Sequence, residues 1–291
     1  MLPTVPEVTM PLDFDAFPMM AIRKSRQLAW DPFEIDLTQD RQDWLTLTPD
    51  EQDLLLRNIS GFRIGERAVT HDLAPLQQVL RKEKGRMAEE MYLTVQLFEE
   101  SRHVEFFERW IIKCLPGTFG QDIPFPALDD DGRSLDENLT VRMGRVLRAL
   151  TDDPSPQAQL RAVVIYHMII EGVVAETGYR LFDAALNERN ILPGLRNGIE
   201  LIQRDETRHV AFGTYLLRRM IAERPELKSD FESEMRSLRP ASLQGVDQVV
   251  VSPQGRSPFG INAADFHDVN LKLFQNRINA VNAPAAPMWK T

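Results

Sequence analysis

Along most of this chain apolar positions return every three or four residues, the spacing of an amphipathic helix, and no alternating stretch bounded by hairpin turns interrupts them. The pattern predicts an all-α fold. The first long helix has a sharp start at Thr48-Pro49-Asp-Glu51, which supplies a capping threonine, a first-turn proline and the glutamate of a capping box. It runs to about Arg81, with Pro75 bending its last turns. A second helix covers about 87 to 114 and stops before Pro116-Gly117; a loop over 116 to 134, with Pro124, Pro126 and Asp129 to Asp131, leads to a shorter helix at about 135 to 150. Asp152-Asp-Pro-Ser-Pro156 breaks the chain and caps a helix of about 156 to 188. Next come helices from about Pro193 to Ala222 and from Pro225 to about Arg236. Pro240, Gly245, Pro253, Gly255, Pro258 and Gly260 predict a long loop over 239 to 260, followed by a last helix at about 263 to 280 and a loose end at Ala283-Pro-Ala-Ala-Pro287. The expected organisation is one helical domain over 1–291: an arm over 1–47, a bundle core over 48–225, and C-terminal helices and tail over 226–291.

Two segments inside this pattern are near copies, Glu100-Ser-Arg-His103 and Glu206-Thr-Arg-His209. Glutamate and histidine three apart project from one face of a helix. A single glutamate precedes each pair at nearly the same distance, Glu66 by 34 residues and Glu171 by 35. If the chain turns back near Lys84 and again near Arg189, each glutamate pair lies roughly 25 Å from its bend at 1.5 Å rise per residue, so four antiparallel helices bring all six side chains to one height. Glu-x-x-His pairs with partner glutamates are the donor set of dinuclear metal bundles. Four buried glutamates would repel one another and take up protons unless cations were bound; two divalent ions cancel their charge, and carboxylate with imidazole suits iron or manganese.

The other histidines and acids have competing readings. His167, four before Glu171, shares its face and competes with it as a ligand; bundle symmetry favours Glu171. His71 and His267 have no partner pattern. Glu99 points about 100° away from Glu100 and is expected outside the ligand set or on the surface. Asp205, before Glu206, suits a carboxylate that accepts the free N–H of a ligand histidine and fixes its tautomer, and equally a solvent-facing side chain. Gly costs about 1 kcal/mol in a helix relative to Ala, so Gly61 and Gly65 near Glu66 suggest that space is needed there.

Composition narrows the class. A net charge of −9 over 291 residues argues against a nucleic-acid binder, and 43% apolar residues suffice for a large core. Cys114 is the only cysteine, which excludes an intramolecular disulfide and a thiolate cluster and suggests a reducing cytoplasm. The apolar run Ala162 to Ile170, broken by Tyr166 and His167, is too short for a transmembrane segment, and the start, with Pro3, Pro6, Asp13 and Asp15, lacks the features of a secretory signal.

Taken together, Glu66, Glu100-x-x-His103, Glu171 and Asp205-Glu206-x-x-His209, with Trp30-Asp-Pro32 upstream, resemble the small subunit of ribonucleotide reductase over roughly residues 25 to 225. That implies a ferritin-like four-helix bundle with extra helices. The family's radical tyrosine lies four residues after the first ligand histidine; here that position is Phe107. Within this superfamily the chain is more similar to the ligand-binding oxidases, which carry a valine three residues after the first glutamate and a tyrosine five before the third. Val69 and Tyr166 hold those positions. By residue character alone Val69 is a core aliphatic and Tyr166 a buried, hydrogen-bonded tyrosine; the resemblance implies that an ether bond joins them. At about 140° from Glu171 on an ideal helix, Tyr166 needs a local bulge or the reach of its ring to meet the metals.

The resemblance further implies manganese with Glu66, Glu100 and His103, iron with Glu171, Glu206 and His209, and Glu100 bridging, with di-iron as the other possibility. It implies a long-chain fatty acid over the metals, dioxygen as oxidant, and a cytoplasmic homodimer. Two other functions are to be weighed. A reductase subunit with a metal-centred oxidant would use Trp30 and Asp205 for electron transfer; Val69, Tyr166 and a tail, Pro287-Met-Trp-Lys-Thr291, without an acidic docking segment tell against it. Iron storage is the non-enzymatic reading, and storage proteins of this shape are usually shorter and build shells.

Overall fold

In a computed structural model of the chain, residues 11–115, 117, 138–250 and 258–283 are described. The expected loop over 116–134, apart from Gly117, and the tail from 284 lie outside them. The arm forms α1 (Phe17–Gln27), a 3-10 turn (Pro32–Glu34) and α2 (Thr38–Trp44). Asp40 of α2 is buried and accepts from Trp110 Nε1 at 2.8 Å and from the backbone N–H groups of Gly194 and Leu195 at 2.7 and 2.6 Å. The arm therefore caps the start of a core helix, satisfying N–H groups that have no partner within it.

The first core helix, α3 (Pro49–Asp72), starts with the expected capping box: Thr48 Oγ1 accepts from Glu51 N, and Glu51 Oε2 accepts from Thr48 N at 2.8 Å. The bend foreseen at Pro75 separates α3 from α4 (Ala74–Lys82), and Gly85, at φ 82°, turns the chain into α5 (Met87–Cys114). After α6 (Leu139–Ala149), Ser155 caps α7 (Pro156–Val163). A π-helix over Val164–Ala175 continues it into α8 (Glu176–Leu186). Asn190 and Leu192, both left-handed, make the second turn and lead to α9 (Pro193–Glu223).

The C-terminal part corrects the expected loop over 239–260. Helix α10 begins at Leu227, passes through Pro240 and ends at Val250. Leu238, Ser242, Val246 and Val250, one turn apart, are all buried, and this packing offsets the roughly 3 kcal/mol that an interior proline costs. Helix α11 (Ala263–Asn282) closes the described fold. No strand occurs among the described residues, so the all-α expectation holds.

Helices α3, α5, α7 to α8 and α9 form the bundle. Their buried apolar residues fall into two clusters, one holding Val69, Tyr92, Tyr166 and Phe212, the other Leu54, Phe107, Tyr179 and Ile199. Each core helix contributes to both clusters; Glu66, Glu100 and Glu206 lie between the two contributions on their helices, and Glu171 lies near the boundary, just before Val173. A polar layer thus crosses the bundle at one height. The segment Pro156–Leu186 is long and apolar enough to cross a membrane, because its apolar positions continue past Glu171. Most of that stretch is buried within the bundle, as in a core helix.

Candidate metal centre

The polar layer brings together all six residues that the repeat singled out. Glu66, Glu100, His103 and Glu206 offer donor atoms within 4.8 Å of one another, and so do Glu100, Glu171, Glu206 and His209. All six are buried. Nδ1 of His103 lies 3.3 Å from Glu66 and 3.4 Å from Glu206; Nδ1 of His209 lies 3.0 Å from Glu100 and 3.5 Å from Glu171. Glu100, expected to bridge, reaches both groups, and so does Glu206.

Each histidine turns its other nitrogen to an acid on the opposite helix. His103 Nε2 is 3.3 Å from Asp205, and His209 Nε2 is 2.9 Å from Glu99. Both acids immediately precede the glutamate of the other Glu-x-x-His segment. Glu99 is therefore buried behind a histidine, not on the surface. Arg208 pairs with Glu99 at 2.6 Å and also with Asp205, while Arg102 reaches Asp205 at 2.6 Å and Trp30 Nε1 donates to it at 2.8 Å. Burial pushes Asp205 up, but His103, Arg208 and Trp30 outweigh it and hold the carboxyl far below the usual range.

Six buried carboxylates and two buried guanidiniums, Arg102 and Arg208, leave an excess of four negative charges, which two divalent ions would cancel. Without metal, burial pushes Glu66 and Glu171 well above the ordinary glutamate value. Burial acts on Glu100 likewise, but the closely approaching imidazoles of His103 and His209 overcome it and hold it low. Glu171 Oε2, Glu206 Oε2 and His209 Nδ1 find no hydrogen-bond partner although fully enclosed. Buried polar atoms are normally satisfied. Three orphans converging in one hard-donor cluster fit a pair of first-row metal ions.

The bulge that Tyr166 needs is the π-helix. Its i to i+5 repeat aligns Tyr166 with Glu171, and the phenol donates to Glu100 Oε1 at 2.8 Å. Val69 lines a cavity of about 180 Å³ together with Glu66, Glu100, Glu171 and Glu206. Ile170, Val174, Leu181, Val246, Val250 and Phe266 make the cavity largely apolar. A Cβ added at Gly61 or Gly65 would meet nothing within 4 Å, so both glycines do open space beside Glu66. His167 is not among the grouped donors: its Nε2 faces Gln96 Oε1 at 3.4 Å, and burial pushes its pKa down to about 3. His71 is exposed beside Asp72, and His267 pairs with Asp247 at 2.8 Å.

A family model described as ribonucleotide reductase, small chain, matches residues 10–243. The chain belongs to the ribonucleotide reductase small-chain family. Within this family its structure is similar to those of R2-like ligand-binding oxidases. One, with aerobically reconstituted Mn/Fe cofactor after a long soak, shares 28% identity at a TM-score of 0.83, over 94% of this chain and 96% of that one. A valine-to-isoleucine variant with anaerobically reconstituted Mn/Fe cofactor gives a TM-score of 0.85 at 28% identity, over 94% and 96% of the two chains. The ferritin-like small-subunit fold expected from the motifs is thereby established.

Gln96 and Arg208 escaped the sequence reading. Gln96 carried a signal, standing four residues before Glu100 and hence on its face. Arg208, between Glu206 and His209, resembles any helical arginine until Glu99 and Asp205 are seen to converge on it.

Proposed function

We propose that this metal-dependent oxidoreductase is an oxygen-activating dinuclear oxidase that takes a long-chain fatty-acid-like ligand and joins Val69 to Tyr166 by an ether bond. The observation that carries the reading is the position of Tyr166 in the π-helix, with its hydroxyl on Glu100, while Val69 and Glu100 line one cavity. Glu66, Glu100 and His103 would hold manganese, and Glu171, Glu206 and His209 iron, with Glu100 and Glu206 placed to serve both ions. The similar oxidases carry a Mn/Fe cofactor and are ligand-binding, which supports a manganese–iron pair and a bound ligand here.

When bound, the metal pair supplies two electrons to dioxygen. The ether supplies the other two: the Tyr166 O–H and one Val69 C–H bond break, an O–C bond forms, and dioxygen leaves as two waters after taking up two further protons from solvent. Tyr166 starts with its proton directed at Glu100 Oε1. Asp205 and Glu99 keep the two histidines in the tautomer that turns Nδ1 inward. The apolar walls around Val174, Val246 and Phe266 exclude water and suit an alkyl chain lying over the reacting groups.

Loading the purified chain with manganese(II) and iron(II) in air, then digesting it, tests the reading. The Val69 and Tyr166 peptides are expected as one species lacking two hydrogens, and separate peptides of full mass would overturn the cross-link. Extracted protein should yield a fatty acid, and sedimentation should give a homodimer. A second reading, a reductase subunit, is favoured by the chain Trp30 to Asp205 to His103, a continuous hydrogen-bonded path from the arm to the centre. Nucleotide reduction on adding a large subunit would establish it.

A further inference from the structure

Gln96 is fully buried, lies outside the donor set, and is hydrogen-bonded on both sides of its amide. Its Nε2 donates to the Tyr166 hydroxyl oxygen at 2.7 Å and to Glu171 Oε1 at 3.2 Å, and its Oε1 faces His167 Nε2 at 3.4 Å. Glu171 ionised as a metal ligand accepts and does not donate, so the NH₂ group faces it, which leaves the carbonyl to His167 and places the imidazole proton on Nε2. His167 is itself fixed by close packing, since a Cβ at Gly213 would lie 2.2 Å from its own Cβ.

The consequence falls on the phenol. A hydroxyl has one proton and two lone pairs. With Gln96 donating to its oxygen and Glu100 accepting its proton, Tyr166 has one lone pair left, and both ring tilt and O–H direction are set. We propose that Gln96, braced by His167, is the positioning residue that aims the Tyr166 oxygen for bond formation to Val69. The proposal rests on the cross-linking reading and adds a group that the metal-ligand repeat does not predict. Gln96 takes no part in the redox balance: the bonds broken and formed, and dioxygen as oxidant, are those given above.

Q96L keeps the volume of the side chain and removes both donors; Q96M serves if the branched side chain fails to fold. After aerobic loading with manganese and iron added to saturation, the variant should show, per bound metal pair, a linked fraction lower by about tenfold or more, as expected when a reacting atom is misaimed. Linking to the wild-type extent at equal metal content would overturn the proposal. Should the wild-type chain itself not link, the cross-linking reading falls, and Gln96 is judged separately on the metal-free full chain. With only four tyrosines in the sequence, ring-carbon labelling gives a readable spectrum. Q96L should move the Tyr166 resonance, assigned through Y166F, and leave that of Tyr215 in place. An unmoved Tyr166 resonance would refute the positioning role.

Discussion

Asp205 precedes Glu206 in the second Glu-x-x-His segment, yet the histidine it holds belongs to the first: its Oδ2 lies 3.3 Å from His103 Nε2. Glu99 does the reverse for His209 at 2.9 Å. Groups that orient a ligand histidine typically govern metal affinity by ten- to a hundredfold. D205N should therefore weaken metal binding by about that factor, with E99Q acting similarly from the other side. Competition titration with a chelator measures both. Unchanged affinity in either variant would reduce these acids to ion-pair partners of Arg208.

Gly61 lies on α3 where an added side chain meets open cavity. G61L should stabilise the helix by about 0.5–1 kcal/mol through lost chain entropy, while filling the space a ligand would take. The expected result is a melting temperature raised by a few degrees together with loss of co-purifying lipid. A variant that melts higher and still carries ligand would place the binding path elsewhere.

The π-helix is braced from outside the bundle, since Arg277 of α11 donates from Nε to the Gly172 carbonyl at 3.0 Å. A Cβ at residue 172 would sit 2.9 Å from the His167 carbonyl and 3.0 Å from the Arg277 side chain. G172A should destabilise the protein by about 1–3 kcal/mol, the usual range for overpacking. R277A should relax the segment toward α-helical register and reduce the Val69 to Tyr166 product at unchanged metal content. Denaturant titration and peptide mass read the two effects.

Glu51 gives a pH-dependent contribution away from the centre. Burial pushes its carboxyl up, but the Thr48 backbone N–H and the Arg189 guanidinium outweigh this and hold it below the ordinary value of 4.5. A depressed folded-state value means stability that is complete above 4.5 and lost as pH falls through the folded value. E51Q should therefore be less stable than wild type by about 0.3–1 kcal/mol at neutral pH and equal to it in acid. Denaturation at pH 7 and at pH 3 decides this.

The six donor residues were legible because a doubled Glu-x-x-His with equal upstream spacing has a purely geometric meaning on antiparallel helices. Tyr166 was half legible: its mismatch with Glu171 called for a bulge, but a π turn has no residue code of its own, only the hydrogen-bond pattern that tertiary packing selects. The arm was readable as short helices, whereas the role of Asp40 in capping α9 depends on a contact across more than 150 residues of chain. Pro240 misled because local propensity argued for a break and the apolar face from Leu238 to Val250 overrode it. The orientation of Gln96 needed all three of its partners in place.

The cavity and the donor cluster draw on different parts of the fold. Val246 and Val250 stand on α10 and Phe266 on α11, helices that supply none of the six grouped donors. Exchanging these side chains for larger or smaller ones would reshape the space offered to a guest molecule without displacing one oxygen or nitrogen of the charged layer. Selectivity and oxidising power can thus drift separately through descent, the first in outer helices free to vary, the second locked by mutual contacts at the bundle's waist.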